Sequence, residues 1–447
     1  MRSETLPPGP RLPAVLQGLR FVAAPVGFFE HCRRRYGDPF TVHIPVSGRV
    51  VLFSDPTAVR EIFTGDAEVF RAGEANQILR GVLGPRSLLL LDGAHHLNER
   101  RMMMPLFHGE RMLAYGEVMR DVTERAIARW PLGRSFPVLA ETQAITLEVI
   151  VRTVFGVVEG ERSTRLTDLL RRFVGIAVQP LLLWPPLQID LGSPSPWGRF
   201  LRLRREIDAL LDAEIARRRA APEAPAEDVL SLLLAARDEE GRPMPDEALR
   251  DELMTLLLAG HETTATALAW TLHRVLTEPG VLERLREEIA EVGGGRPLEP
   301  ADISRLEYLD GVVKETLRLN PVIPDVMRVL ARPARIGGHD LPAGIGVAPN
   351  IYATHRRPDV WPDPERFRPE RFAGARPSPY EFFPFGGGVR RCLGMAFALY
   401  EMRVVLATIL ARADLALSPG YELRIVRRNV TWAPSRGMPV VLTRRAA

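Results

Sequence analysis

Phe385-Gly386-Gly387-Gly388-Val389-Arg390-Arg391-Cys392-Leu393-Gly394 is the stretch on which the reading of this chain turns. It sets a lone cysteine in a glycine- and arginine-rich loop that runs into a helix. Helix-terminal N–H dipoles and two guanidinium groups beside a sulfur favour the thiolate over the thiol. A thiolate is what an axial metal ligand has to be. Taken without its neighbours, a cysteine at a helix start is more often a small buried hydrophobe.

The rest of the chain gives that loop a setting. Its 447 residues are 46% hydrophobic and 26% charged, enough for a large core. No composition shift divides it, so residues 1–447 are read as one domain. Cys32 and Cys392 are the only cysteines, which argues against a disulfide framework or a zinc site built on Cys and fits a reducing compartment. Cys32, in a basic helix, is read as a bystander. The polar, proline-rich start through Pro10 lacks the apolar region of a signal peptide. No stretch reaches the roughly 18 apolar residues of a spanning helix. A cytoplasmic protein without a membrane anchor is therefore expected. The formal charge is +4, and 58 of the 59 basic residues are arginine, Lys314 being the exception. Such a coding bias makes any one Arg cluster less informative, and without aromatic-basic interleaving no nucleic-acid partner is expected.

Along the chain, an extended Pro-rich lead precedes a short amphipathic helix from Phe28 to Tyr36. Pro39 to Pro45 and Arg49 to Phe53 alternate as a β-hairpin. From about Pro56 to Leu330 apolar residues recur three and four apart, predicting a large helical body. Strand signals return in Arg335 to Val347 and Leu423 to Leu442. Between them, Arg356 to Pro384 shows no periodicity but carries Trp361, Phe367, Phe372, Phe382 and Phe383, too apolar for a solvated linker, and is read as an ordered meander. Ala220 to Ala226 reads as a surface loop. The fold class is mainly α with small β-sheets, α+β.

Three further patterns stand out. The long helix predicted from Asp246 to Val275 reads Ala259-Gly260-His261-Glu262-Thr263-Thr264 at its centre, with Ala259 and Thr263 four apart on one face. The bland reading is threonine hydroxyls bonding back one turn. His261-Glu262 begins like the zinc-protease H-E-x-x-H, but Ala265 stands at the second histidine position. Glu315-Thr316-Leu317-Arg318 sets a carboxylate and a guanidinium three apart, ordinarily a surface pair worth about 0.2–0.5 kcal/mol. His96 and Arg100 are four apart in His95-His96-Leu97-Asn98-Glu99-Arg100-Arg101, with His95 an adjacent rival to His96.

In this order and spacing, the four patterns resemble the cytochrome P-450 family of haem-thiolate monooxygenases, soluble bacterial type, over nearly the whole chain. The loop matches the family's Phe-x-x-Gly-x-Arg-x-Cys-x-Gly at Phe385, Gly388, Arg390, Cys392 and Gly394. The resemblance implies a triangular prism-like helical body with a small β-rich lobe and a haem b (iron protoporphyrin IX) ligated by Cys392. Phe385, Gly386, Gly394 and Ala259 would lie against the cofactor, Gly260 would leave room for oxygen, and His96, Arg100, Arg328 and Arg390 would hold its propionates. Glu262 and Thr263 would be the acid-alcohol pair that relays protons to dioxygen. Glu315, Arg318 and Arg371, in Phe367-Arg368-Pro369-Glu370-Arg371-Phe372, would form a structural triad under the cysteine loop. His108, His273, His339 and His355 are expected on surfaces or against backbone groups, with His355 able to touch the cofactor face.

The implied activity is hydroxylation or epoxidation of a hydrophobic small molecule, a fatty acid, terpenoid, steroid or polyketide, using O2 and two electrons. Electrons would come from a ferredoxin or flavodoxin with its NAD(P)H reductase, docking near Arg101, Arg111 and Arg391. The pocket would be lined by Arg71 to Leu89, Phe173 to Leu191, Leu257 to Ala259, Val322 to Val326 and the turn at Val430-Thr431. Arg71 or Arg80 could pair with a substrate carboxylate. A haem-based sensor or carrier and a non-haem helical binding protein are the rival classes.

Overall fold

The 32-residue helix Asp246–Thr277 is the axis of the molecule. It starts after Pro245 with Asp246 and Glu247 in its first turn, where carboxylates complement the helix dipole, and runs about 48 Å. The computed structural model describes residues 6–445 except 108, 110, 157–160, 178–187, 191, 193–194, 221–227, 375 and 429. His108, positions 221–226 of the expected loop and positions 178–187 of the expected pocket wall lie outside these residues.

Helices Val138–Phe155, Glu307–Leu319, Met395–Arg412 and Pro196–Ala220 pack around the long helix. Small and polar groups let Val138–Phe155 come close. Thr142 and Thr146 donate to the carbonyls of Ala265 and His261 at 3.0 and 3.1 Å. A Cβ added at Gly260 would sit 2.9 Å from the Ile150 methyl. Gly260 therefore serves helix packing, which corrects the expectation that it clears space for oxygen.

A five-stranded sheet forms one edge. Phe40–Ile44 pairs antiparallel with Gly48–Phe53, which runs parallel to Gly346–Pro349; Arg328–Leu330 and then Phe70–Arg71 complete it. Hairpin Ile425–Arg428/Thr431–Pro434 stands apart, and Ser135–Pro137, Pro439–Arg445 and Ala413–Leu417 form a third sheet. The two- and three-residue strands inside the helical region are too short to show alternation. The lead is not wholly extended: Ala14–Ala23 is a helix before Pro25–Tyr36. Its pattern misleads because the residue it buries is Gln17, not an apolar one.

Beneath the cysteine loop, Glu315 and Arg318 are both fully buried. Arg318 Nε and Nη2 donate to the two Glu315 oxygens at 2.7 and 2.8 Å, and its Nη1 donates to the carbonyls of His355 and Pro364, both at 2.7 Å. Arg371 Nε and the Arg368 N–H also reach Glu315, at 3.2 and 2.8 Å. Every charge is thus met by fixed partners, the condition under which a buried pair survives desolvation. The meander closes over the triad with aromatic contacts: Phe372 to Phe382 at 4.8 Å, His355 to Phe382 at 5.3 Å, and Phe63 to Phe383 at 5.3 Å. His355 is fully buried and its Nε2 accepts the Phe383 N–H at 3.0 Å, two residues before the cysteine loop. It is a bridge between backbone segments. His273 departs from the expectation: it is buried edge-on to Trp270, its Nδ1 has no partner, and burial pushes its pKa down to about 4.

Removing Glu315 strands a guanidinium at zero exposure. Glu315→Ala should cost about 3–5 kcal/mol in urea unfolding, whereas a loss under 1 kcal/mol, about that of a surface pair, would show the triad to be incidental. Glu401, on Met395–Arg412, is fully buried with both carboxylate oxygens unpartnered, and burial raises its pKa well above the ordinary 4.5. The folded state keeps a proton that the unfolded chain releases, so the stability this contributes is complete below pH 4.5 and is lost as pH rises through the folded-state pKa. Glu401→Gln should therefore gain stability relative to wild type as pH rises above about 4.5; a pH-independent difference contradicts this reading.

Candidate active site

Between the long helix, the cysteine loop, helix Gly93–Met103 and the segment leading to Arg328 lies the recess that the sequence pointed to. In the middle of an otherwise buried helix, Ala259 is exposed and Thr263 half-buried, so this face opens onto space inside the protein. Thr263 Oγ1 donates to the Ala259 carbonyl at 2.6 Å, the bond back along the helix that the bland reading foresaw. Its lone pairs remain free to accept.

Glu262 points away from that face, toward Val138–Phe155. Its Oε2 accepts from Gln143 Nε2 at 2.6 Å, and Arg428 of the hairpin lies 3.6 Å from Oε1. Burial raises its pKa, with Arg428 and Gln143 opposing. Gln143 and Arg428 escaped the sequence reading. Gln143 carried a local signal, a polar residue beside Thr142 on an apolar helix; Arg428 is far away in sequence and carried none.

The cysteine loop is shaped by contacts behind it. Gly386 and Gly388 have φ of +67° and +63°. A Cβ at Gly388 would fall 2.1 Å from the Phe63 carbonyl, and one at Gly387 2.3 Å from the Phe63 ring. Only glycine fits there. The Cys392 N–H donates to the Phe385 carbonyl at 2.9 Å, closing the loop before helix Met395–Arg412. The thiol is accessible from the recess yet deep within the protein. That burial pushes its pKa up, and the Gly394 N–H, Arg100 and Arg391 oppose without prevailing. Desolvation weighs against the expected thiolate, which the two arginines and the backbone N–H favour. A metal cation at the sulfur would secure it, since a coordinating thiol is deprotonated outright.

At the recess edge, His96, Arg100, Arg328 and Arg390 come together. His96 is buried, and desolvation followed by Arg390, Arg100 and Arg328 pushes its pKa down to about 3. Arg328 and Arg390 are each pushed down to about 10, by burial first and then, for Arg328, by Arg390 and, for Arg390, by Arg100, with Asp92 opposing in both. Asp92 pairs with Arg390 at 2.6 Å and accepts the N–H groups of Gly73 and Glu74. Arg390 also donates to the carbonyls of Leu88 and Leu91. One carboxylate against three guanidiniums leaves an excess of positive charge that a dianionic group would neutralise. An accessible sulfur, an open Ala259–Thr263 face and this cationic edge fit haem. Asp92 was missed in the sequence, although its place before helix Gly93–Met103 is a capping position.

Other expectations fare differently. Arg71 lies 3.8 Å from Glu74, which competes with a substrate carboxylate for it, and Arg80 is exposed. Arg101 pairs with Glu239. Arg391 is exposed and acts electrostatically on Cys392. Val322 is tied to the hairpin through the Trp432 N–H at 2.7 Å, and the Val326 methyl would lie 3.8 Å from a Cβ on Gly386, so this segment packs beside the cysteine loop. Asp325, within it, was not anticipated; burial, opposed by Arg427, raises its pKa to about 6.

The family model described as Cytochrome P450 matches residues 6–439. Cytochrome P450 135B1 of Mycobacterium tuberculosis is 42% identical over 97% of this chain and 91% of its own length, and cytochrome P450 138 of the same organism is 38% identical over 98% and 97%. Among solved structures, the retinoic acid-bound cyanobacterial CYP120A1 superposes with a TM-score of 0.84 at 28% identity, covering 99% of this chain and all of that one. The haem domain of cytochrome P450DA gives 0.85 at 25% identity over 99% and 98%. With its fold, its cysteine loop and relatives matched end to end, the chain belongs to the cytochrome P450 family and is a haem monooxygenase that uses O2, a small-molecule substrate and electrons from redox partners.

Proposed function

We propose that residues 1–447 act as one domain that holds haem b through Cys392 and hydroxylates or epoxidises a hydrophobic molecule, a fatty acid, terpenoid, steroid or polyketide. The open Ala259–Thr263 face in the buried long helix is the observation that carries this reading. When bound, the haem supplies dioxygen activation and the oxidising power. His96, Arg100, Arg328 and Arg390 bind its carboxylates, and Phe385, Gly386, Gly394 and Ala259 border its faces. Thr263 positions a water at the open face by accepting a hydrogen bond while its own proton rests on Ala259. Glu262, whose pKa burial raises against the pull of Arg428 and Gln143, takes up and passes on a proton at its carboxyl when those contacts release.

A ferredoxin or flavodoxin with its NAD(P)H reductase supplies the electrons, and Arg391 is the exposed cation nearest the sulfur in sequence. A cytoplasmic location belongs to the same proposal, supported by two free thiols. The Leu, Ile, Val and Pro side chains of the expected pocket suit a hydrocarbon ligand. Arg71 gives little support to a carboxylate clamp, since it is engaged with Glu74.

Thr263→Ala separates this reading from a haem sensor. With a hydrophobic ligand selected by its spin-state shift, the variant should keep consuming NAD(P)H and O2 while product formed per electron falls about tenfold or more. Unchanged coupling in Thr263→Ala would contradict the proton-relay role.

A further inference from the structure

The N-terminal edge carries an apolar face turned outward. Val15, Leu16, Leu19 and Val22 of helix Ala14–Ala23 are 63, 46, 61 and 56% exposed, and Val46 on the neighbouring hairpin turn is 56% exposed. These five are among only twelve large apolar side chains exposed among the described residues, so the clustering on one ten-residue helix and its neighbour is not the scatter of an ordinary surface. Val15, Leu19 and Val22 recur at helical spacing on one side, with Leu16 beside them.

The face is held outward by polar bonding on the other side. Gln17 is the buried residue of the helix; its Nε2 donates to the carbonyls of Pro10 and Leu12 at 3.1 and 2.8 Å, and its Oε1 accepts the His43 N–H at 3.0 Å. Gly18 rests on Pro45, where an added Cβ would come within 2.9 Å of Cδ, so the helix lies along the turn that bears Val46. Phe21 packs inward, 5.3 Å from Phe29 and 4.6 Å under the Arg427 guanidinium. A helix that buries its glutamine and exposes its valines and leucines is inverted for a water-facing element.

Charge around the face has one sign. No acidic residue occurs from Leu6 to Phe29, and Arg11, Arg20 and Arg49 are exposed at its rim. The next acid, Glu30, is engaged by Arg33 at 3.1 Å and Arg34 at 3.8 Å.

We propose that this face is a peripheral contact with an anionic membrane surface, the helix Ala14–Ala23 lying in the plane of the lipid. Val15, Leu16, Leu19, Val22 and Val46 enter the boundary of the acyl chains, and Arg11, Arg20 and Arg49 pair with lipid phosphates. A protruding stripe rimmed by cations suits a fluid anionic sheet, which needs no matching groove. No spanning segment is required, and no helix among the described residues is long and apolar enough to cross a membrane.

Co-sedimentation of the haem-loaded full chain with phosphatidylglycerol-containing vesicles and with pure phosphatidylcholine vesicles tests this. Wild type should pellet with the anionic vesicles, less so with phosphatidylcholine or at high salt. Leu16→Asp/Leu19→Asp should lower the bound fraction about tenfold with an unchanged haem spectrum. Arg11→Glu/Arg20→Glu should abolish the preference for anionic lipid. Failure of wild type to pellet with either vesicle, or equal binding by Leu16→Asp/Leu19→Asp, overturns the proposal. So does a lipid-free dimer in sedimentation velocity that the leucine substitutions dissolve, because the face would then be self-association surface.

Discussion

A buried ion pair fixes where the cysteine loop sits. Arg318 and Glu315 lie wholly out of water, and the guanidinium has no freedom left once it has met two carboxylate oxygens and the carbonyls of His355 and Pro364. His355 carries that rigidity onward through its bond to the Phe383 N–H. Phe383 in turn packs on Phe63, whose backbone shapes the glycines of the loop. The path from Glu315 to Cys392 is thus a sequence of short, directed contacts. Breaking such a pair is costly, yet against an apolar replacement it adds little stability, so its importance lies in what it positions.

The electrostatics of the recess follow from burial more than from charge count. Desolvation raises the Cys392 thiol and the Glu262 carboxyl and lowers His96, Arg328 and Arg390. In each, burial shifts the balance toward the uncharged form, although Arg328 and Arg390, at about 10, keep their charge at neutral pH. A dianionic cofactor with a cationic metal supplies the opposite charge at both places, carboxylates to the arginines and metal to the sulfur. The protein part of the site is therefore poised for that group.

Much of this was legible because the informative residues are close in sequence. The cysteine loop, the Glu315–Arg318 spacing, the His96–Arg100 spacing and the long helix are local patterns, and the helical body with small sheets followed from periodicity. Residues whose meaning depends on a distant partner stayed hidden: His355 through Phe383, Asp92 through Arg390, and Arg428 through Glu262. One local argument failed for a tertiary reason, and a second met an opposing one. Gly260 meets Ile150 of another helix, and the thiolate argument counted arginines without the cost of burial. Helix Ala14–Ala23 escaped because its inward residue is Gln17 and its apolar side faces out.

Cys392 as the ligand to haem iron is the claim on which the account rests. The most direct measurement is the absorption spectrum of the dithionite-reduced protein with and without carbon monoxide, for wild type and Cys392→Ser. The account predicts a strongly red-shifted Soret band in wild type that the serine variant loses. A Soret band at the position of histidine-ligated haem in wild type, or a red-shifted band that survives in Cys392→Ser, would contradict it.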